Sequence, residues 1–322
     1  MAEQGEGKGG GLAGWWAGKA EARAKFHAWW EGYEHTPSEK PAEAPPPPPP
    51  KAARPRPRPV GKVIVKDEWP PERVKVAQMV WGDGFSFPGG EAYTVELTRD
   101  LALQPNARAL DIGCGLGGGT RAIATQLGVV AEGWDLSPDL AAEGHGLSLA
   151  VPGLAERAPI DFLDVDKTAF KEKRFDGALV RCALSPMSDK AGMLAKIATG
   201  LRPGGILSVM DFCLAYEDAH GDALDTYRLG EATAPRLSTL KVLAARVEEA
   251  GFAVREATDA SDAFQRVVLL GWAKIDMLVK RGQLDAKEGK ALMGEAELWR
   301  RRLEALRSGA LRMGRVVAVR KG

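Results

Sequence analysis

Short apolar runs alternate with amphipathic stretches along the chain from about residue 60 onwards. The apolar runs predict seven strands, at 107–111, 129–135, 160–164, 178–182, 206–211, 252–257 and 315–320. The stretches between and after them place apolar residues at helical spacing, which predicts helices at 119–127, 138–149, 190–200, 237–251, 264–281 and 286–307. Strands that alternate with helices form parallel sheets with right-handed crossovers, so the pattern predicts an α/β fold with helices on both faces of the sheet.

The chain before residue 60 has a different composition. Residues 1–35 predict a tryptophan-rich helix after a disordered, glycine-rich start, and residues 36–60 predict a proline-rich linker. The helix is too short to bury its aromatic side chains alone, so they predict a docking face. That face would meet a protein partner, a membrane surface or the chain's own globular domain at 61–322. Its residues are Trp15, Trp16, Phe26, Trp29 and Trp30.

The charge balance and the cysteine content of the chain argue against several classes of protein. Lys and Arg number 44 and Asp and Glu number 43, so we expect no basic field of the kind that nucleic-acid binders carry. The three cysteines show no CxxC spacing, which argues against a disulfide scaffold and against a metal site. The sequence shows neither a membrane-spanning run nor a signal-peptide pattern. We therefore expect a cytoplasmic protein, peripheral to a membrane if the N-terminal helix docks there.

A glycine-rich turn between the first strand and the first helix is the strongest chemical signal. Gly113, Gly115 and Gly118 directly follow the strand and open the helix, so the backbone can bend sharply and come close to a ligand. Asp111 closes the strand before these glycines, and its charge would repel a pyrophosphate but pair with a cationic ammonium. This argues against a dinucleotide-dependent oxidoreductase, the other class of enzyme that uses such a loop.

Acidic residues also end the next two strands. Asp135 ends the second strand, where a carboxylate can hold both hydroxyls of a ribose. Asp164 ends the third strand and is the favoured partner for an adenine amino group, with Asp166 as a close rival. The neighbouring Leu136 and Val165 are candidate cofactor contacts as well.

Four segments together resemble class I S-adenosylmethionine-dependent methyltransferases. They are LDIGCGLGG at 110–118, GWDLS at 133–137, RFDGA at 174–178 and LRPGGIL at 201–207. The resemblance implies S-adenosyl-L-methionine as the cofactor and a Rossmann-like seven-stranded sheet with an antiparallel last strand and extra C-terminal helices. It also implies that Asp111 and the glycine loop contact the methionine part of the cofactor. The candidate loop contacts are Gly113, Cys114, Gly115, Gly117 and Gly118.

A narrower resemblance, to phosphoethanolamine N-methyltransferases, begins earlier in the chain. The segment VWGDGFSFPGG at 80–90 is similar to the segment that folds over cofactor and substrate in that family. The resemblance makes Trp81, Phe85 and Ser86 candidate substrate contacts, and Tyr227 is a further candidate downstream.

The chain departs from that family at the pair of residues that handles protons. Ala77 stands near the position of the family's tyrosine, and Pro186 stands near the position of its histidine. Methyl transfer is therefore better supported than the particular substrate of that family.

Three further residues are candidates for chemistry at the ends of strands four and five. Asp211 could hold a cationic amine, act as a base or cap a helix. His220 is either a base or a surface residue. Arg181 could meet an anionic group of substrate or cofactor, or form a structural ion pair.

Together these observations predict an S-adenosylmethionine-dependent methyltransferase that acts at nitrogen or oxygen of a small molecule or lipid headgroup. No nucleic-acid partner is expected. The alternative is a non-catalytic scaffold or regulatory subunit that binds the cofactor and is recruited through the N-terminal helix. The missing tyrosine and histidine favour this alternative.

Overall fold

A seven-stranded sheet forms the centre of the molecule. The computed structural model describes residues 68–273, 275 and 284–322. The strands are β1 (Arg108–Ile112), β2 (Val130–Asp135), β3 (Ile160–Phe162), β4 (Phe175–Arg181), β5 (Leu201–Leu214), β6 (Phe252–Asp259) and β7 (Leu311–Arg320). Their order is β3-β2-β1-β4-β5-β7-β6, and β7 runs antiparallel to both of its neighbours. The predicted seven-stranded sheet with an antiparallel last strand is confirmed.

Ten helices surround this sheet in the part of the chain that the structure describes. They are α1 (Pro71–Trp81), α2 (Gly90–Thr98), α3 (Gly118–Leu127), α4 (Pro138–Leu149), α5 (Leu154–Arg157), α6 (Lys190–Gly200), α7 (Asp222–Gly230), α8 (Leu240–Glu249), α9 (Ser261–Trp272) and α10 (Ala286–Arg307). Within the described residues, no helix is long and apolar enough to cross a membrane. The predicted tryptophan-rich helix at 1–35 and the linker at 36–60 lie outside the described residues.

The sheet is buried on both faces, because successive side chains of a strand point to opposite sides. Ala109 of β1 and Leu179 of β4 enter one apolar cluster together with residues of α1, α3, α9 and α10. Leu110 and Val180, their neighbours along the same strands, enter a second cluster with residues of α6 and α8. This alternation explains why the strands read as continuous apolar runs in the sequence.

The last strand is longer than the sequence predicts. It pairs with β5 from Val319 opposite Ile206 to Leu311 opposite Leu214. The sequence places its start at Arg315, because Gly314 and Arg312 interrupt the apolar run. Antiparallel backbone pairing with β5 carries the strand through these two positions.

The order of the strands predicts where a ligand would bind on the sheet. β2 lies on one side of β1 and β4 on the other, so the chain direction along the sheet reverses between β1 and β4. In open α/β sheets, ligands bind outside the carboxyl ends of the strands at such a reversal. The carboxyl ends of β1 and β4 are occupied by Ile112 and Arg181.

Trp81, a candidate substrate contact, instead anchors an aromatic core between α1, α9 and α10. Its side chain is 5% exposed, and its ring lies edge-on to Trp272 at 6.0 Å and to Trp299 at 5.0 Å. We expect Trp81→Ala to lower the free energy of unfolding by about 3–5 kcal/mol, because the substitution leaves a large cavity. The measurement is urea denaturation of the full chain.

The matched control for this substitution is Leu270→Ala on α9, whose side chain is 68% exposed. It should change the unfolding free energy by no more than about 0.5 kcal/mol. A loss at Trp81 no larger than that of the control would show that the ring contributes little to the core.

Candidate active site

The glycine-rich turn after β1 forms a close backbone cradle. Gly113 and Gly115 have φ values of +77° and +57°, a region that favours glycine. A Cβ at Gly113 would collide with the backbone oxygen of Arg181, and one at Gly115 would collide with the Ser86 hydroxyl. The Gly113 N–H donates to the Trp134 carbonyl at 2.8 Å, which ties the loop to the end of β2.

Asp135 sits at the end of β2, beside this loop. One carboxylate oxygen accepts a hydrogen bond from the Gly115 N–H at 2.7 Å, and the other accepts from the Ser137 N–H at 2.9 Å. The residue is 8% exposed. A carboxylate oriented in this way can accept further hydrogen bonds from a diol, since each of its oxygens has more than one lone pair.

Asp111 does not point into open space but is paired with Arg181. The Arg181 guanidinium donates to both oxygens of the wholly buried Asp111 carboxylate, at 3.0 and 2.8 Å. Thr120 Oγ1 donates to the same carboxylate at 2.7 Å, and Arg181 Nη1 donates to Thr94 Oγ1 at 3.2 Å. Of the two roles considered for Arg181, the structure therefore contains the ion pair, located directly behind the glycine loop.

Residues 82–90, here called the covering segment, lie over the glycine loop. The Gly118 N–H donates to the Gly84 carbonyl at 2.8 Å, and the Leu116 N–H donates to Ser86 Oγ at 3.3 Å. Ser86 and Phe87 line the cavity described below, whereas Phe85 packs against the core. Of the candidate substrate contacts Trp81, Phe85 and Ser86, Ser86 lines the cavity.

A cavity of about 880 Å³ connects the cofactor candidates with a second group of side chains. One part is lined by Ser86, Gly113, Gly115, Asp135 and Leu136. Another part is lined by aromatic and charged residues of β5, α7 and α10, with the loop that follows α7: Phe212, Tyr227, Glu231, Trp299 and Arg302. Arg181, Cys182 and Pro186, which follow β4, line it as well. We call the part that contains Tyr227 the acceptor end.

An ion pair lies on the wall of the acceptor end. Arg302 Nε and Nη2 donate to the two oxygens of Glu231, each at 2.7 Å, and both side chains are 15% exposed. Burial alone would lower the pKa of the Arg302 guanidinium, but the charge and hydrogen bonds of Glu231 raise it. The guanidinium also lies 4.6 Å from the centre of the Trp299 ring.

The neutral polar groups of the acceptor end stay protonated. Burial raises the pKa of the Tyr227 hydroxyl well above its ordinary value, and the nearby Glu231 charge adds to the effect. Burial raises the pKa of the Cys182 thiol in the same way, with a further contribution from Asp211. Tyr227 is 1% exposed and lines the cavity.

The structure does not bring the two catalytic candidates to the cavity. The Asp211 carboxylate accepts hydrogen bonds from the backbone N–H groups of Leu184 and Ser185, at 2.7 and 2.9 Å, and so holds the loop after β4. Burial raises the pKa of this carboxyl group. His220 is exposed, and its Nδ1 lies 2.8 Å from the Asp218 carbonyl. Neither lines the cavity.

The adenine candidates Asp164 and Val165 are not among the residues that line the cavity. The Asp164 carboxylate accepts from the N–H groups of Asp166 and Lys167 and pairs with the Lys167 ammonium at 3.1 Å. The hydrogen bond from Lys167 lowers the pKa of Asp164. Val165 packs against the core, and its carbonyl accepts from Lys196 at 2.6 Å. Asp164 and Val165 as adenine contacts stay predictions.

Sequence reasoning missed Glu231 and Arg302. They are 71 residues apart, and no local motif links them. Arg302 stands in a run of three arginines on α10, in which Arg300 and Arg301 pair with Glu297 on the same helix. The run of three arginines was the one signal in the sequence. Since Glu297 pairs with the first two, Arg302 needs a carboxylate from another part of the chain.

The arrangement fits S-adenosylmethionine. The loop offers a backbone surface that side chains would block, Asp135 stands where a ribose diol would be held, and the cavity volume is within the range of small-molecule sites. Gly113, Gly115, Asp135 and Leu136 are the residues that would hold the cofactor. Within the described residues, no group of three or more His, Cys, Asp or Glu side chains is placed to hold a metal ion.

Fold and site together define a Rossmann-like domain that binds a nucleoside-containing cofactor at the reversal between β1 and β4. The family model described as "Methyltransferase domain" matches residues 91–257. The chain therefore belongs to the methyltransferase-domain family. The prediction of a class I S-adenosylmethionine-dependent methyltransferase is confirmed at the level of the family and its fold.

Individual relatives agree with this assignment. Phosphoethanolamine N-methyltransferase 3 of Arabidopsis thaliana is 28% identical over 192 residues, which cover 59% of this chain and 38% of that protein. O-methyltransferase resE of Aspergillus sclerotiorum is 31% identical over 187 residues, covering 56% of this chain and 70% of the relative. The match covers 46% of a Caenorhabditis elegans phosphoethanolamine N-methyltransferase. The chain thus spans less than half of the length of the Arabidopsis and C. elegans proteins.

A solved structure has the same fold. It is Haemonchus contortus phosphoethanolamine N-methyltransferase 2 in complex with phosphomonomethylethanolamine and S-adenosylhomocysteine. The TM-score is 0.70 at 19% identity, and the match covers 82% of this chain and 62% of that one. At 19% identity, the similarity between the two structures shows a common fold and nothing further.

The role of Asp135 can be tested by cofactor binding. We expect Asp135→Asn to weaken binding of S-adenosylhomocysteine at least about tenfold, because charge-assisted hydrogen bonds contribute roughly 1.5–3 kcal/mol each. Isothermal titration calorimetry measures the affinity, and circular dichroism checks the fold. Asp161→Asn, an exposed carboxylate on β3, is the matched control and should bind normally. Equal affinities for the two variants would contradict the assignment.

Proposed function

We propose that this protein transfers a methyl group from S-adenosylmethionine to a nitrogen or oxygen atom of a small molecule or lipid headgroup. One observation carries the proposal: a single cavity connects the glycine loop and Asp135 with an acceptor end that contains Tyr227, Trp299 and the Glu231–Arg302 pair. A donor and an acceptor bound in that cavity would be neighbours.

Positioning and exclusion of water are the tasks of this chain's own residues. The cofactor, when bound, supplies a methyl group that is already activated on a sulfonium. Phe87 and Phe212 pack with Trp299 and Phe264 in one aromatic cluster, and such a wall excludes water from the acceptor. Methyl transfer gains most from bringing the two reactants together in line, so a site with little acid–base machinery suits it.

The relatives support both nitrogen and oxygen as the atom that is methylated. Two of the most similar proteins carry the names phosphoethanolamine N-methyltransferase and O-methyltransferase. Those names belong to longer or distant proteins, so the acceptor of this chain is inferred from its own cavity. Burial keeps Tyr227 and Cys182 protonated, so at this end of the cavity they can donate hydrogen bonds to an acceptor but cannot remove a proton from it.

The test combines cofactor binding with methyl release. We expect the full chain to bind S-adenosylhomocysteine and to release it from S-adenosylmethionine when a panel of amines, phenols and lipid extracts includes an acceptor. Arg302→Met should abolish this release but not cofactor binding, because Arg302 lies at the acceptor end. Glu297→Gln, on the same helix but outside the cavity, is the control.

Binding of S-adenosylhomocysteine without methyl release from any member of the panel would favour the scaffold or regulatory alternative. Preferential binding of NAD would contradict the proposed class of enzyme.

Recruitment through the N-terminal segment is a further part of the proposal, and it concerns residues outside those described. Removal of residues 1–59 should leave cofactor binding unchanged, since the glycine loop and Asp135 lie downstream. It should abolish association with lipid vesicles or with a protein partner in the cytoplasm, because it removes Trp15, Trp16, Phe26, Trp29 and Trp30. Vesicle sedimentation and pull-down measure this. If both assays are unaffected while the melting temperature falls, the segment packs on its own domain instead.

A further inference from the structure

The buried cation of the acceptor end is already occupied by a carboxylate. Arg302 forms two hydrogen bonds of 2.7 Å with Glu231, in the planar two-to-two arrangement that a guanidinium also uses for phosphate. An arriving phosphate would therefore compete with Glu231 for the same edge of Arg302. This inference rests on the proposed function, because it concerns the acceptor of that reaction.

The other guanidinium groups of the cavity are paired as well. Arg181 is bound to Asp111 behind the glycine loop. Arg73 Nε donates to Glu295 at 2.6 Å, with side-chain exposures of 22% and 6%. Lys287 and Lys290 also line the cavity, but they are exposed on the first turns of α10, where water screens their charge. The buried walls of the acceptor end thus offer no net positive charge.

We infer that Glu231 makes the acceptor end select molecules whose entering part carries no phosphate or carboxylate group. A second negative charge beside Glu231 would be repelled and would lose its hydration without gaining a free cation. An uncharged or cationic acceptor meets no such penalty. It could lie against the Phe212 and Trp299 rings and hydrogen bond to the Tyr227 hydroxyl.

The methyltransferase fold alone does not determine whether the acceptor carries a negative charge. The Haemonchus enzyme of the same fold is described with a phosphate-bearing ligand, phosphomonomethylethanolamine. Charge selection at the acceptor end is set by individual side chains: in this chain Glu231 directly follows α7, and Arg302 lies on α10. A chain can keep the methyltransferase sheet and change the charge of its acceptor through one carboxylate.

The experiment measures anion binding rather than turnover. Inorganic phosphate and phosphoethanolamine are titrated by calorimetry into the full chain saturated with S-adenosylhomocysteine. The unmodified protein should show no saturable binding of either. Glu231→Gln should bind both at least about tenfold more tightly, because it frees Arg302 for a charge-assisted contact. The double variant Glu231→Gln with Arg302→Met should lose the gain.

Two controls keep the result specific. Glu297→Gln removes a carboxylate from the surface of α10 and should leave phosphate unbound. Glu231→Met is a second variant that also frees Arg302 and serves if the glutamine variant does not fold. Saturable phosphate binding by the unmodified protein, or no gain in the folded Glu231 variants, overturns the inference. Failure of the proposed function is a different result: no binding of S-adenosylhomocysteine, or no methyl release from any acceptor.

Discussion

The buried ion pair between Arg181 and Asp111 holds the site together. Two charges taken out of water are stable only when each satisfies the other, and removing one partner of such a pair costs about 3–5 kcal/mol. Here the pair joins the ends of β1 and β4, and Thr94 and Thr120 attach α2 and α3 to it. All four elements border the glycine loop. The conformation of the loop therefore depends on an ion pair that lies behind it.

Other charged side chains of the cavity are also bound to groups of the protein itself, and this limits the net charge that a ligand would meet. Asp135 directs both carboxylate oxygens to backbone N–H groups, and Arg302 directs two nitrogens to Glu231. The three guanidinium groups that line the cavity, those of Arg73, Arg181 and Arg302, are each paired with a carboxylate. A ligand in such a cavity is recognised by the hydrogen bonds and aromatic faces that remain, and less by attraction of its net charge.

Local patterns in the sequence predicted the sheet, the glycine loop and Asp135, because each depends on neighbours along the chain. The longer β7 was not predictable from its own residues, since pairing with β5 carries it through Gly314. The hydrogen-bond partners of Asp111 and Asp211 could not be predicted from the sequence either. The Asp111 carboxylate pairs with Arg181, which is 70 residues away. Asp211 likewise meets backbone groups 26 and 27 residues upstream. Local patterns identify charged residues at strand ends, but tertiary packing determines their partners.

The positions at which the family has its tyrosine and histidine carry no group that could remove a proton in this structure. Ala77 is buried within α1, and Pro186 lines the cavity without a titratable group. Tyr227 and Cys182 keep their protons, so the acceptor end can hydrogen bond to a nucleophile but removes no proton through them at neutral pH. The Glu231 carboxylate is already engaged by two hydrogen bonds from Arg302. In the reaction proposed above, Tyr227 and Cys182 would therefore position the nucleophile of the acceptor rather than deprotonate it. The residues of this cavity would then accelerate the reaction by alignment, which is the larger requirement when the methyl donor is already activated.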